Sequence, residues 1–402
     1  MSHIRILLIV MLTFAGTALG EIPEPNFHPQ TIDDAISVGY GVAVGDVDGD
    51  EQPDILLADS RQIVWYRNPG EAGQPWDKHV MAENLTDADN VCIAARDING
   101  DGKVEVAIGA QWNPSETADV ERSGAVFYLH RPDDPTQRWE ARQIKPHDPT
   151  THRMRWVKAA AEQFRLVVLP LNPKTDGDGE AAGDGVRVQV VTPPDNLAEG
   201  EWASTFVETG MSGTHNLDVV VLPQGNEHVL VIGREGIGAV VDLSVAEPTM
   251  AAPPPFLSEP GGEIRFRMAE REEEVAMATI EPMHGPRVVA YTSGADPQEP
   301  VRHVLDDRLN QGHALGVADF LGIGPPQIVA GWRMPDAENQ VGIRLYVPLD
   351  ESGTNWATHT LDDNQMAAED LAIADLDGDG RLDIVASGRA TRNVIIYWNG
   401  RE

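Results

Sequence analysis

GVAVGDVDGDEQPDILLAD (41–59), CIAARDINGDGKVEVAIGA (92–110) and DLAIADLDGDGRLDIVASG (370–388) are three versions of one phrase. In each, an apolar run enters an Asp/Gly turn and a second apolar run leaves it, the pattern of two buried strands joined by a hairpin. ALGVADFLGIGPPQIVAGW (314–332) keeps the outline with fewer acids. MRWVKAAAEQFRLVVLPL (154–171), NLDVVVLPQGNEHVLVIG (216–233) and VAMATIEPMHGPRVVAYT (275–292) have lost the acidic turn. Asp46 and Asp97 stand 97 − 46 = 51 residues apart, and Asp319 and Asp375 stand 375 − 319 = 56 apart. A period of this length marks a repeat architecture.

A third apolar run follows most copies, as in IVWYRNPG (63–70), AVFYLHRP (125–132), VRVQVVTPP (186–194), IRLYVP (343–348) and VIIYWNG (394–400). A fourth element repeats an aromatic, +3, +5 spacing from Trp76, Trp139, Trp202 and Trp356. Four short antiparallel strands per unit predict an all-β, seven-bladed β-propeller, because one such sheet buries too little alone and stacked blades share a core. The last copy stops at Trp398-Asn399-Gly400, and Phe27-x-x-Gln30-x-Ile32 has the spacing of its missing outer strand. The N-terminal segment is therefore expected to close the ring. Asn113–Ser123, Asn172–Gly185 and Pro248–Gly262, polar or Pro-rich, are expected to be surface loops.

Residues 1–20 read as an export signal, with Arg5, an apolar run over 6–18, and small residues at Ala18-Leu19-Gly20. The run is shorter than the roughly 18–20 apolar residues of a spanning helix, so no membrane insertion is expected. The remaining 402 − 20 = 382 residues, 21–402, are expected to form the single propeller, secreted or periplasmic. The chain has 64 Asp and Glu against 30 Lys and Arg, a formal charge of −34. That surplus repels nucleic-acid phosphates and anionic lipid, so neither is an expected partner. Cys92 is the sole cysteine, which excludes a disulfide framework and a thiolate zinc site.

The strong turns offer oxygen side chains at positions 1, 3, 5 and 9: Asp46, Asp48, Asp50 and Asp54; Asp97, Asn99, Asp101 and Glu105; Asp375, Asp377, Asp379 and Asp383. That spacing wraps a hard cation, and calcium is the expected ion. Gly49, Gly100 and Gly378 stand where such a loop bends most sharply. Asp and Gly favour turns in any case, but three copies at one blade position, each with the ninth-position acid, favour calcium.

His152, His215 and His313 each fall at or just before the start of an innermost strand, in THRMRW, THNLDV and GHALGV. Inner strands converge on the propeller axis, so imidazoles 60–100 residues apart meet at one mouth of the channel and can hold zinc or another divalent transition metal. Glu369 occupies the same place in the last blade, and Arg153, Asn216 and Asp370 are adjacent. The bland alternative is a polar, solvated channel mouth. H-E-x-x-H, P-loop, G-x-S-x-G and dinucleotide fingerprints are absent.

The acidic turns resemble FG-GAP/VCBS repeats, which implies a calcium-binding propeller of the integrin-headpiece type and leaves activity open. GTHNL (213–217), IEPMHGPRVVAY (280–291) and RHVLDDRLNQGHALGVADFLGIGPPQIVAGWR (302–333) resemble the propeller part of fungal aldos-2-ulose dehydratase/isomerase. That resemblance implies a metal-dependent carbon–oxygen lyase dehydrating 1,5-anhydrofructose or related keto-sugars, without the isomerase activity of the cupin domains. His284 and Glu281 lie in the shared E-P-M-H-G element; with 275–281 as an inner strand, they fall on the turn beyond it, at the opposite rim. In this scheme His152, His215 and His313 hold the metal, Glu369 or an unligated His takes a proton, Arg153 steadies the developing oxyanion, and Asn216 binds hydroxyls. The ligand class is a carbohydrate-like small molecule. The competing class is a non-catalytic adhesin or scaffold that binds carbohydrate or a protein partner, with Trp65, Trp112, Trp156 or Trp332 stacking on sugar rings.

Overall fold

The computed structural model describes residues 22–161, 163–176, 178–221, 225, 227–241, 243, 245, 247–251, 259–268, 275–292, 300–350 and 352–400. The export-signal residues 1–20 lie outside them. Among the described residues there are strands and turns and no helix. Strand β1 (Phe27–Asp33) precedes a first sheet of β2 (Gly41–Gly45), β3 (Asp54–Ala58), β4 (Gln62–Arg67) and β5 (Asp77–Glu83). The second is β6 (Cys92–Arg96), β7 (Glu105–Ala110), β8 (Ala125–His130) and β9 (Glu140–Ile144). The third is β10 (Thr151–Ala160), β11 (Gln163–Pro170), β12 (Arg187–Thr192) and β13 (Ala203–Glu208). The fourth is β14 (Thr214–Val221), β15 (Glu227–Gly233), β16 (Gly236–Val241) and β17 (Thr249–Ala251).

The fifth sheet is β18 (Glu263–Met268), β19 (Val275–Glu281), β20 (Arg287–Thr292) and β21 (Val301–Asp306). The sixth is β22 (Gly312–Ala318), β23 (Gln327–Trp332), β24 (Gly342–Pro348) and β25 (Trp356–Asp363). The seventh joins β26 (Ala368–Ala374), β27 (Asp383–Gly388) and β28 (Val394–Asn399) to β1. Each inner strand touches the next, and β26 touches β2, so the seven sheets form a closed ring. The seven-bladed propeller is the fold, and β1 closes it: Phe27 faces Asn399 and Gln30 faces Ile396 across an antiparallel ladder.

The core is a set of seven apolar layers, one between each pair of neighbouring blades. Alternation along a strand explains this, since successive side chains leave opposite faces of a sheet. On β3, Leu56 packs toward the second blade while Ile55 and Leu57 pack toward the seventh. On β23, Ile328, Ala330 and Trp332 face the fifth blade and Val329 faces the seventh. Strands covered on both faces therefore read as unbroken apolar runs rather than alternating ones.

The first-to-second strand turns are braced by their own acids. Asp54 is buried and accepts the Val47 and Asn68 amides at 2.8 Å each. Asp383 accepts those of Leu376 at 3.0 Å and Asn399 at 2.8 Å. Asn68 Nδ2 reaches the Leu376 carbonyl of the neighbouring blade at 2.7 Å, and Asn399 Nδ2 reaches Phe320 O at 2.8 Å. In the sixth blade Gln327 replaces the ninth-position acid, and its carbonyl oxygen takes the Leu321 amide at 2.9 Å. The brace is thus a property of the fold, and the charge is an addition to it.

The fifth blade departs from the sequence reading. Residues 275–281 form its second strand, and the inner strand is β18, placed directly after the segment expected to be loop. Pro248–Gly262 likewise contains β17, the outer strand of the fourth blade. The signal was hidden because this blade lacks the Asp/Gly turn that marks the first hairpin elsewhere, so its second hairpin was read as its first.

Candidate functional site

Inner strands run from the channel mouth toward the acidic turns, so residues at their starts and residues in those turns lie at opposite ends of the hub. Three of the mouth positions carry imidazoles fixed by one device. His152 Nδ1 donates to the His215 carbonyl at 2.7 Å, His215 Nδ1 to Gly262 O at 2.7 Å, and His313 Nδ1 to Glu369 O at 2.6 Å. Each acceptor belongs to the next blade or its approach. A carbonyl can only accept, so each Nδ1 carries the proton and each Nε2 presents a lone pair. Local backbone irregularities help: the β10, β14 and β22 ladders each slip at the His, which turns it from the blade interface toward the axis.

His284 belongs to this group. Its Nε2 lies 2.7 Å from His215 Nε2, and its ring stacks on His313 at 5.1 Å between centroids. Ligand nitrogens of His215, His284 and His313 all lie within 4.8 Å of one another. The expected placement at the opposite rim is therefore corrected. The turn after β19 returns to the mouth face because β19 is a second strand, not a first. Gly262 lets it come close: a Cβ there would meet His284 N at 3.0 Å and Met283 Cα at 3.1 Å. His284 itself has φ 53°, a left-handed conformation uncommon for a side-chain-bearing residue.

His152 stands beside this trio rather than within it. Its ring meets His215 at 4.7 Å and Trp112 at 5.2 Å between centroids, and its Nε2 accepts from Arg153 Nη1 at 3.3 Å. Of the three imidazoles expected to share an ion, His215 and His313 converge with His284 in a group that could hold one, and His152 lies outside that group. Burial, reinforced by the Arg153 charge, holds His152 well below the ordinary imidazole range; burial, with Arg333, does the same for His313. Burial, with the neighbouring His215 ring, pushes His284 down to about 3. All three rings are neutral at neutral pH, the form that binds metal.

The acidic groups divide by what they hold. Glu263 is 1% exposed; Oε2 accepts from Asn216 Nδ2, and Oε1 lies 3.2 Å from His215 Nδ1 with no hydrogen bond of its own. A carboxylate behind an imidazole is the usual support of a metal ligand. Glu369 sits at the predicted register, but both oxygens take Arg333 Nη1, at 2.9 and 3.1 Å, and Oε1 also takes Arg389 Nη1 at 2.9 Å. That arrangement suits a holder of two guanidiniums better than a proton acceptor. Asn216 is buried and spent on Glu263, so it does not reach toward a ligand. Glu281 is committed to Thr279, Tyr291 and Arg302, and anchors its turn.

At the other end of the hub, Asp46, Asp48 and Asp50 form one group of convergent oxygens, and Asp375, Asp377 and Asp383 another. Asp97, Asn99, Asp101 and Glu105 fold the same way: Asp97 accepts the Gly100 and Gly102 amides, and Glu105 accepts that of Ile98 at 3.0 Å. There Asn99 Nδ2 donates to Glu105 Oε1 at 3.0 Å, and Arg131 lies 2.9 Å from Asp101. Burial raises Asp54 and Glu105 to about 7 and Asp383 to about 6, each acid being also repelled by its neighbours in the turn. Of the Trp residues considered as sugar platforms, Trp65, Trp156 and Trp332 are buried core, and only Trp112 is partly open at the mouth.

Sequence reasoning missed Glu263, Arg333 and Arg389. One signal was available: IGRE (232–235), GWR (331–333) and SGR (387–389) place an arginine just past the second strand in blades four, six and seven. Residues 29–108 match the FG-GAP-like repeat family. No curated protein matches the chain. Among solved structures, a crystal structure of BBS1N in complex with ARL6DN, soaked with lead, is similar at 12% identity with a TM-score of 0.56. The alignment covers 94% of this chain and 97% of that one. At that identity the likeness is one of fold alone.

Proposed function

We propose that this FG-GAP-repeat propeller is a metal-dependent carbon–oxygen lyase acting on a keto-sugar at the hub, with His215, His284 and His313 as ligands of a zinc-like ion. The observation that carries the reading is the convergence of three imidazole nitrogens, two of them with Nδ1 pinned and Nε2 directed inward. A bound divalent ion would supply Lewis-acid polarisation of the ketone and its neighbouring hydroxyl. Water loss then needs a proton taken next to the carbonyl and a β-hydroxyl departing as water. His152 is the imidazole outside the ligand trio, neutral, and its Nε2 lone pair takes that proton when the substrate oxygen draws Arg153 Nη1 away from it. Arg153, 3.3 Å from that nitrogen, holds the oxygen on which negative charge develops. Trp112, against His152, offers an apolar face to the sugar ring.

In the same reading the chain is exported, and the turns at Asp46, Asp97 and Asp375 bind calcium and stiffen the ring. The charge concentration supports this, since carboxylates so close repel unless a cation sits among them. A receptor that binds a sugar without turnover is the second reading. It is favoured by Glu369, whose engagement with two arginines leaves one fewer base. The test is metal analysis of the purified protein followed by assay on 3-keto and 2-keto sugars. One transition metal per chain, with turnover lost to a chelator and to His284→Ala and restored by zinc or manganese, is expected. Calcium alone, or turnover unchanged in His284→Ala, refutes the lyase.

A further inference from the structure

Beneath the imidazoles lie guanidiniums that make no close ion pair. Arg153 and Arg265 are each 5% exposed, and Arg155 is half-buried. Each turns one amine back onto its own strand: Arg153 to His152 O at 3.0 Å, Arg155 to Met154 O at 2.8 Å, and Arg265 to Ile264 O at 2.6 Å. Among the described residues no carboxylate lies within 4.0 Å of Arg153 or Arg155, and the nearest to Arg265 is Glu263 at 3.9 Å. Buried cations are normally paired, because an unpaired one loses its hydration with nothing in return.

The carboxylates that face this space are already spent. Asp370 takes the Val42 and Leu371 amides at 3.0 Å each, Asp218 takes the Phe266 amide and Arg267, and Glu263 takes Asn216. Around the hub Arg153, Arg155, Arg265, Arg267, Arg333 and Arg389 outnumber Glu263, Glu369, Asp218 and Asp370 by 6 − 4 = 2. Even counting Asp89, which takes the Tyr40 hydroxyl at 3.0 Å, the balance stays positive in a chain of formal charge −34. Burial together with the Arg265 charge depresses Arg155, against the opposing pull of Asp370 and Asp218.

We propose that the channel floor is an anion site for a carboxylate-bearing small molecule, a sugar acid whose carboxylate seats between Arg155 and Arg265 while its oxygens reach Arg153 and the imidazoles above. Arg153 and Arg155 are two residues apart on one strand, so their Cα atoms lie about 6.6 Å apart and both side chains leave the same face. This narrows the substrate class of the lyase proposed above and rests on that reading for its chemistry, whereas the binding itself needs no metal.

The test uses the full chain, stripped of metal with a chelator, and D-gluconate as the probe, with D-glucose and sodium sulfate as controls, read by calorimetry and by thermal unfolding. Gluconate is expected to bind and raise the Tm, and glucose to do neither. Arg155→Met should weaken gluconate at least tenfold while leaving the ligand-free protein as stable as before or more so, because an unpaired charge has gone. Arg155→Lys, which keeps the charge, should retain part of the affinity. No response of the metal-free wild type to gluconate overturns the proposal, and so does sulfate binding as tightly, which would make the floor an inorganic-anion site. Gluconate binding in a protein that takes up no transition metal would sink the metal reading and leave this one standing.

Discussion

Glu263→Gln separates a working metal ligand set from a coincidence of imidazoles. The side chain is buried with Oε1 3.2 Å from His215 Nδ1 and Oε2 accepting from Asn216. Glutamine keeps the shape and can still accept from Asn216, so β14 and β18 should stay in register. What disappears is the negative charge behind His215. Losing such a supporting group typically costs about 10–100-fold in metal affinity, or about 1.4–2.7 kcal/mol. The lower half of that range is expected, because Gly262 O still holds the ring at 2.7 Å and Arg265, at 3.9 Å from the carboxylate, already offsets part of its charge. Zinc affinity is measured by competition with a chromophoric chelator, alongside the Tm of the metal-free protein. The Tm should hold, since an incompletely paired buried charge has been removed. Unchanged zinc affinity, or a loss that merely follows a falling Tm, refutes the reasoning.

Calcium removal should lower the Tm reversibly: an ion held at 100 times its Kd contributes about 2.7 kcal/mol per site, and Asp46→Ala should delete one calcium by elemental analysis. A Tm indifferent to chelator would remove calcium from the account. Asp306→Asn should destabilise by about 3 kcal/mol, since Arg308, Arg344 and Tyr346 all donate to this buried carboxylate. Burial pushes Asp306 up, but the Arg308 hydrogen bonds and the Arg344 charge outweigh it and its pKa is lowered. A lowered carboxylate stabilises above its ordinary value of 3.8 and loses that contribution as pH falls below it. The gap between wild type and Asp306→Asn in urea unfolding should therefore be full at neutral pH and narrow under acid; a gap that widens in acid would contradict this. A chain starting at Asp34 leaves β28 without its partner and should lose cooperative unfolding, whereas an unchanged thermal transition would show that the ring does not need β1.

The architecture was legible because its signals are local. The Asp/Gly hairpins fix where three blades begin, and Trp76, Trp139, Trp202 and Trp356 announce outer strands at fixed offsets. The misreading of 275–281 shows the limit. A blade without an acidic turn presents three similar apolar runs, and nothing short-range says which is innermost. The site was half legible for the same reason. His215 and His313 stand at a repeat position and could be found by register, but His284 arrives from a different strand connection and Glu263 from the misassigned inner strand. The arginines of the channel floor are invisible to periodicity, since what distinguishes Arg153 and Arg155 is that no carboxylate comes close enough for an ion pair, which only the assembled hub reveals.

Sharing one sheet between Phe27–Asp33 and Val394–Asn399 has a temporal meaning. During synthesis the first strand must wait, single and unpaired, because its neighbour in space lies 394 − 33 = 361 positions downstream. Six blades can stack in order as they appear, but the wheel locks only once. Imidazoles from blades four to six, and the guanidiniums that cross beneath them, acquire their final spacing at that moment. Whatever the hub holds is therefore loaded into a finished protein, not gathered along the way.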